Sequence, residues 1–478
     1  MIVVKNYIHP NLKVDYTRIS QSLKDEWNLL CNHYLPVVPE DSIWRLNRAS
    51  HPDDPDQGWK IHISATILSA NEVFKAVAPL LSSSGILFKA PCSLEELSKI
   101  NAGIYYGYSQ IGKFITVYPE TPEEAVKIAG KLHNLTRDFS GPIIPYDNRF
   151  RHDSCVYYRY GAFKNLEIQN QDGSHISALR SPSGNMIPDT RKLSNPAAKW
   201  VSDPFSEKTR RHKKATSGNG AEAAIEVYEM ISQRGKGGVY RALDFSVSPF
   251  RPCILKAGRK HGETDWDSRD GYWRVKHESE VLTSMMLSGI NAPKVYTTFN
   301  SDSCFYLAIE FIKGKDLHKL IEDNKGGLPI NEALEKGIQL TRLLQTIHSA
   351  GWVWRDCKPR NLILNDENIL CPLDFEGACR IDIVETMPWG TVGYAPPEGL
   401  IQRRAECRVP EDLYALGATL HHMLSGRVPG EAKLQLIGVL RKRIPRPVRE
   451  VIHALLDSNP QSRPDISTVL KTLTAFAP

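Results

Sequence analysis

The sequence has no CxxC pair, and its nine cysteines, an odd number scattered over 478 residues, suit neither a disulfide framework nor a zinc site. The N-terminus, MIVVKNYIHPNLKVDY, lacks the uncharged apolar run of a signal peptide. Nowhere does an apolar run approach the ~20 residues of a membrane span. Charge of one sign is scarce too: a net charge of +6 is too weak to argue for nucleic acid and suits phosphates or an acidic peptide as readily. No repeat of solenoid type is present. These absences predict a cytoplasmic, reduced protein with neither membrane nor nucleic acid as partner. Several cysteines are then small buried apolar residues.

What is present is ordinary globular composition, 41% hydrophobic and 24% charged, in a chain longer than one core supports. Two or three domains are expected. Residues 1–170 alternate strand-like runs such as WKIHISAT and KFITVYP with helix-like ones such as TPEEAVKIAGKLHNL, which opens on Thr-Pro and two Glu. From Gln171 to Gly220 the composition turns to Ser, Pro, Asn, Gly and Lys/Arg, ending in EKTRRHKKATSGNG. That run reads either as a solvated linker or as a docking segment for an acidic peptide. VYEMISQRGKGGVYRALD then opens a second unit. The expected division is 1–205, a basic linker at 206–222, and 223–478.

The second unit carries the parts of phosphoryl transfer in order. RGKGGVY places Gly235, Gly237 and Gly238 between two strand-like runs, where backbone can approach phosphate. PCILKAG puts Lys256 inside an apolar strand, where it needs a partner. Glu278 of the helix-like VKHESEVLTSMM is that partner, with Glu280 as the fallback. GWVWRDCKPRNLIL fits D-x-K-x-x-N: Asp356 accepts the hydroxyl proton, Lys358 supports it, and Asn361 binds metal. PLDFEGA supplies the second metal ligand, Asp374. Glu398, Asp412 and Arg463 complete a protein-kinase pattern. Two positions depart from it, Trp354 for His and Glu376 for Gly; both are backbone-positioning places rather than chemical ones. ATP or GTP with Mg2+ is the expected cofactor set.

The first unit gathers cations near strands. Lys60 and His62 lie two apart on a strand, hence on one face. Lys89 sits at a strand end, Lys113 at the entry to a strand, and Arg159 among the aromatics of CVYYRYGAF. Together they would hold a dianion. Such a set supports β-elimination from a phosphorylated Ser or Thr: a lysine of lowered pKa takes the α-proton, cations hold the phosphate, and a histidine titrating near neutrality protonates the departing oxygen.

The strings QGWKIHISATILSANEVFKAVAPLL, GKFITVYPE, YYRYGAF and GNMIPDTR…WVSDPF resemble the N-terminal part of class III and class IV lanthipeptide synthetases. In that family a phospho-Ser/Thr lyase domain precedes a kinase domain and a cyclase domain. The resemblance implies a multidomain α+β protein, a phosphothreonine-lyase-like domain followed by a bilobed kinase-like domain. It implies phosphorylation of Ser and Thr in a leader-bearing precursor peptide, then expulsion of phosphate to leave dehydroalanine or dehydrobutyrine. Carried over by position, Lys89 is the base, His62 the acid and Lys60 a phosphate holder, with Lys113 and Arg159 as further phosphate clamps. The sequence ends in STVLKTLTAFAP, where a kinase lobe finishes, and shows no Cys-His-Gly zinc string. Ring closure by this chain is therefore not expected, and a separate cyclase, spontaneous thiol addition or a product left uncyclised are all open; a homodimer is compatible with the sequence. Two other readings remain open at this level: a regulatory kinase with an N-terminal sensing domain, and a pseudokinase scaffold.

Overall fold

A computed structural model describes residues 16–169, 173–189, 198–205, 224–385, 387–400, 408–429 and 443–477. The expected linker at 206–222 lies outside the described residues.

The N-terminal part is built on helices α1 (Tyr16–Tyr34), α2 (Ala70–Ser84), α3 (Leu94–Ala102) and α4 (Pro122–Thr136) and strands β1 (Trp44–Leu46), β2 (Gln57–Ile63), β3 (Leu87–Pro91), β4 (Ile115–Tyr118), β5 (Asn148–Arg149) and β6 (Val156–Ala162). The strands form one antiparallel sheet in the order β1-β3-β4-β2-β6-β5. Helix starts follow local chemistry: the Ser93 and Thr121 hydroxyls accept from the Glu96 and Glu124 N–H groups, and Pro122 occupies the first turn of α4.

Strand alternation divides the sheet's two faces. Trp59, Ile61 and Ile63 of β2 join Phe88, Val117 and Tyr158 in a core shared with Trp27, Phe74 and Ile128 of the helices. Each such aromatic or aliphatic side chain contributes ~1.5–3 kcal/mol by leaving water. The intervening residues, Lys60 and His62 among them, take the other face. Lys89 lies in the middle of β3 rather than at a strand end. The polar stretch after Gln171 is not all linker either. Strands β7 (Glu167–Gln169), β8 (His175–Arg180) and β9 (Met186–Pro188) form a small antiparallel sheet.

The C-terminal part has two lobes. Its first is an antiparallel sheet, β10-β11-β12-β14-β13, of strands β10 (Ile225–Arg234), β11 (Gly237–Asp244), β12 (Arg251–Arg259), β13 (Val295–Ser301) and β14 (Cys304–Glu310), with helix α5 (Gly271–Leu287) against it. The Asp270 carboxylate caps α5 by accepting from the Trp273 N–H. The second lobe is helical, with α6 (Leu317–Asp323), α7 (Ile330–Ser349), α8 (Val409–Ser425), α9 (Arg446–Leu455) and α10 (Ile466–Thr474). One continuous core runs through both lobes, from Val281 and Leu307 to Leu420 and Leu473.

The N-terminal part touches the first lobe directly. The Gly235 N–H donates to the Ala102 carbonyl at 2.9 Å, and Arg259 stacks over the Tyr108 ring at 5.5 Å. Lys24 covers Trp266 at 5.5 Å. Among the described residues no helix is long and apolar enough to cross a membrane.

Candidate active sites

Register brings the N-terminal candidates together. Lys89 of β3 and His62 of β2 both pair with Thr116 of β4, one from each side, so the three side chains share a face. Two residues along β2, Lys60 pairs with Arg159 of β6. Strand spacing puts the backbones carrying Lys89 and His62 roughly 10 Å apart, a gap a lysine can span. Lys113 is buried just ahead of β4, and its charge acts on both Lys60 and Asp147. All five predicted residues thus line one region. Lys60 lies over the Tyr118 ring at 5.6 Å and Lys89 over Trp44 at 4.4 Å.

Two carboxylates there were not singled out in the sequence. Asp147 sits 2.5 Å from His62 Nδ1, with both side chains almost fully buried. Arg159 makes a two-pronged bond to Asp189 at 2.6 and 2.8 Å. Neither carboxylate lies on a patterned element, and Asp147 is 85 residues from His62. The available signal was only that a buried histidine and a buried arginine each require a partner.

Burial sets the titration. It lowers the Lys89 amine to about 8. Burial, joined by Lys89, Arg159 and Lys113, pushes Lys60 well below the ordinary amine range. His62 departs from the expectation of near-neutral titration: burial drives it down to about 3, although Asp147 pulls the other way. Burial works against ionisation of Asp147, yet Lys113, His62 and Arg159 hold it below the usual carboxylate range. A phosphate dianion brought among these cations would favour the imidazolium.

The kinase candidates also assemble. Lys256 of β12 bonds both Glu278 oxygens at 2.7 Å and lies 3.9 Å from Asp374. Glu280, the fallback, is exposed. Burial opposes the charge on Lys256, but Glu278 and Asp374 raise its pKa and keep it an ammonium. Asp356 accepts from Lys358 at 2.7 Å, Thr391 at 2.8 Å and the Asn361 amide at 2.8 Å. Burial raises its pKa, which suits a proton acceptor. Burial opposes ionisation of Asp374, but Lys256, Lys236 and Lys358 outweigh it.

The two departures from the kinase pattern are both occupied structurally. The Trp354 indole N–H donates to the Asp374 carbonyl at 2.9 Å, and its ring stacks on Phe375. Glu376 pairs with Lys236 at the β10–β11 turn. Asp412 holds the catalytic loop by accepting from the Trp354 and Arg355 N–H groups at 2.9 and 2.7 Å. Arg355 adopts a left-handed backbone there, φ 67°. Arg463 pairs with Glu398 at 2.5 Å.

Of the predicted glycines, Gly235 and Gly237 pack against other backbone, and Gly238 against the Tyr240 ring. A Cβ on Gly235 would lie 1.7 Å from the Asn101 carbonyl oxygen, and one on Gly237 would lie 1.7 Å from that of Ala257. Gly237 and Gly238 both lie within β11.

Carboxylate oxygens of Glu278, Asp374 and Glu376 lie within 4.8 Å of one another, so the kinase cleft has the hard oxygen donors a divalent cation takes. Lys256 and Lys236 occupy the two glutamates, which leaves Asp374 as the carboxylate best placed for an ion.

Residues 37–217 match the family model described as RamC, N-terminal domain, and residues 235–473, half of the chain, match that of the protein kinase domain. A probable SapB synthase of Streptomyces coelicolor is 30% identical over 391 residues, 79% of this chain and 40% of that protein. A probable serine/threonine-protein kinase of Clostridium acetobutylicum is 26% identical over 257 residues, 49% of this chain and 37% of that protein. Serine/threonine-protein kinase F of Synechocystis is 27% identical over 259 residues, 49% of this chain and 51% of that protein. The chain thus spans well under two thirds of each relative's length. With its kinase constellation on one side and its cationic sheet face on the other, the chain belongs to the protein kinase family and carries a RamC N-terminal domain ahead of the kinase domain, an arrangement consistent with a class III/IV-like lanthipeptide synthetase.

Proposed function

We propose that the chain is a bifunctional peptide dehydratase. Residues 223–478 phosphorylate Ser and Thr of a leader-bearing precursor peptide, residues 1–205 eliminate the phosphate, and 206–222 connect the two. The supporting observation is the shared face of Lys60, His62, Lys89 and Arg159, a set that a kinase alone does not need.

In the kinase cleft Asp356 accepts the hydroxyl proton as the oxygen attacks the terminal phosphorus of ATP or GTP. The bond from that phosphorus to the bridging oxygen breaks and the nucleoside diphosphate leaves, and Lys358 stabilises the charge that develops. Asp374 with the Asn361 amide oxygen would hold Mg2+, which when bound neutralises phosphate charge. In the N-terminal domain Lys89 takes the Cα proton. The Cα=Cβ bond forms as the Cβ–O bond breaks, and the electron pair leaves with phosphate. Lys60, Lys113 and Arg159 hold that phosphate, and His62, oriented by Asp147, protonates the departing oxygen. One chain carrying both sites raises the effective concentration of the phosphopeptide for the second step.

Mass spectrometry of a Ser/Thr-rich peptide incubated with ATP and Mg2+ is the test. Loss of one water per modified residue is expected; a stable gain of phosphate leaves only a kinase with a sensing domain. Lys89→Ala should convert water loss into phosphopeptide accumulation, and unchanged dehydration removes Lys89 as base.

A further inference from the structure

The turn joining β10 to β11 consists of Gly235 and Lys236, with Arg234 and Gly237 paired across it. Its backbone is engaged on the outside. The Gly235 N–H donates to Ala102 at 2.9 Å, and the Lys236 carbonyl accepts from the Arg259 N–H at 2.8 Å. The Lys236 side chain reaches the other way, into the cleft. Its Nζ lies 2.6 and 2.5 Å from the two oxygens of Glu376, whose carboxylate lies within 4.8 Å of that of Asp374. Lys236 therefore joins Lys256 and Lys358 as a third ammonium whose charge acts on Asp374.

Lys256 is committed to Glu278 and Lys358 to Asp356 and Thr391. An ammonium has three donors, and the two Glu376 oxygens leave one of the Lys236 donors for a further acceptor. A triphosphate held beside Asp374 would have its terminal oxygens within reach of this turn.

We propose that Lys236 binds the terminal phosphate of the nucleotide, with Glu376, the residue that departs from the kinase pattern, as the carboxylate that aims it. The inference rests on the kinase reading and adds a phosphate ligand to it. In this arrangement Glu376 is a positioning residue, and Lys236 touches the nucleotide.

The test is titration calorimetry of the full chain with ATP·Mg and, separately, with adenosine. Lys236→Ala should weaken ATP·Mg at least about tenfold, the scale of a charge-assisted hydrogen bond, and leave adenosine unchanged. Lys236→Arg should recover part of the loss because it keeps a cation at the tip. Glu376→Gln, which keeps the lysine and loses its anchor, should lose less than Lys236→Ala. Unchanged ATP·Mg binding in Lys236→Ala overturns the inference while leaving the kinase reading intact. So does an equal loss in Lys236→Ala and Glu376→Gln, or a parallel loss for adenosine. A wild-type chain that binds no ATP·Mg removes the kinase reading itself, and this inference with it.

Discussion

At the scale of residues, the proposed elimination depends on two titrations that burial has moved in the same direction. Lys89 must be neutral to take a proton. With its amine lowered to about 8, each unit of pH below that value cuts the neutral fraction about tenfold. With His62 held as the imidazolium by the bound phosphate, elimination from a preformed phosphopeptide should therefore rise with pH up to about 8. Single-turnover rates that are flat from about pH 6 to about 8 contradict the assignment of Lys89. His62 must instead carry a proton, which Asp147 favours through Nδ1. Asp147→Asn keeps the shape and removes the charge. It should slow elimination by about 10²–10⁴-fold, the usual contribution of a positioned acid, while phosphorylation proceeds. Accumulation of phosphopeptide by mass spectrometry checks it; normal water loss would make Asp147 a spectator. Neither carboxylate partner was legible from spacing, because a loop residue paired across 85 positions has no periodicity to follow.

At the scale of elements, strands and helix starts were legible where side chains alternate or caps are explicit, as at Thr121 and Asp270. The place of Lys60 and His62 on one face followed from the period of two. What the sequence left open was register: that Lys89 and His62 flank the same Thr116 depends on strand order β3-β4-β2, which no local pattern dictates. The catalytic loop shows the converse, an apparent departure that the fold absorbs. Trp354 is fully buried, donates to the Asp374 carbonyl and stacks on Phe375. Trp354→Phe keeps most of the volume and loses the donor; Trp354→His keeps a donor and loses volume. If the hydrogen bond positions Asp374, phosphorylation rates should fall in the order wild type, His, Phe, with the Phe variant down about tenfold from an unsatisfied buried carbonyl. Steady-state phosphorylation with matched unfolding curves separates this from lost stability, and a fully active Phe variant would show that packing alone suffices.

At the scale of the whole molecule, the N-terminal part meets the kinase lobe at the β10–β11 turn, a contact that neither part's sequence announces. Asn101 is locked by its own side chain, which donates to Ala65 at 3.1 Å and accepts from the Gly112 N–H at 3.2 Å. Ala65 follows two residues after the end of β2, so the strand of Lys60 and His62 and the turn of Lys236 are joined through the hydrogen bonds of Asn101 and Ala102. Gly235→Ala tests that join, since its new Cβ would lie 1.7 Å from the Asn101 oxygen and backbone must give. The strain should cost about 1–3 kcal/mol of stability in urea unfolding. It should also slow phosphorylation, because relieving the clash displaces the turn that carries Lys236. Gly130→Ala is the matched control: it lies within α4 with nothing within 4 Å of the added atom, and should stabilise by about 0.5–1 kcal/mol without touching either rate. A Gly235→Ala chain that unfolds and phosphorylates like wild type would mean that the turn does not rest on the N-terminal domain, and that the two sites share a chain without sharing a contact.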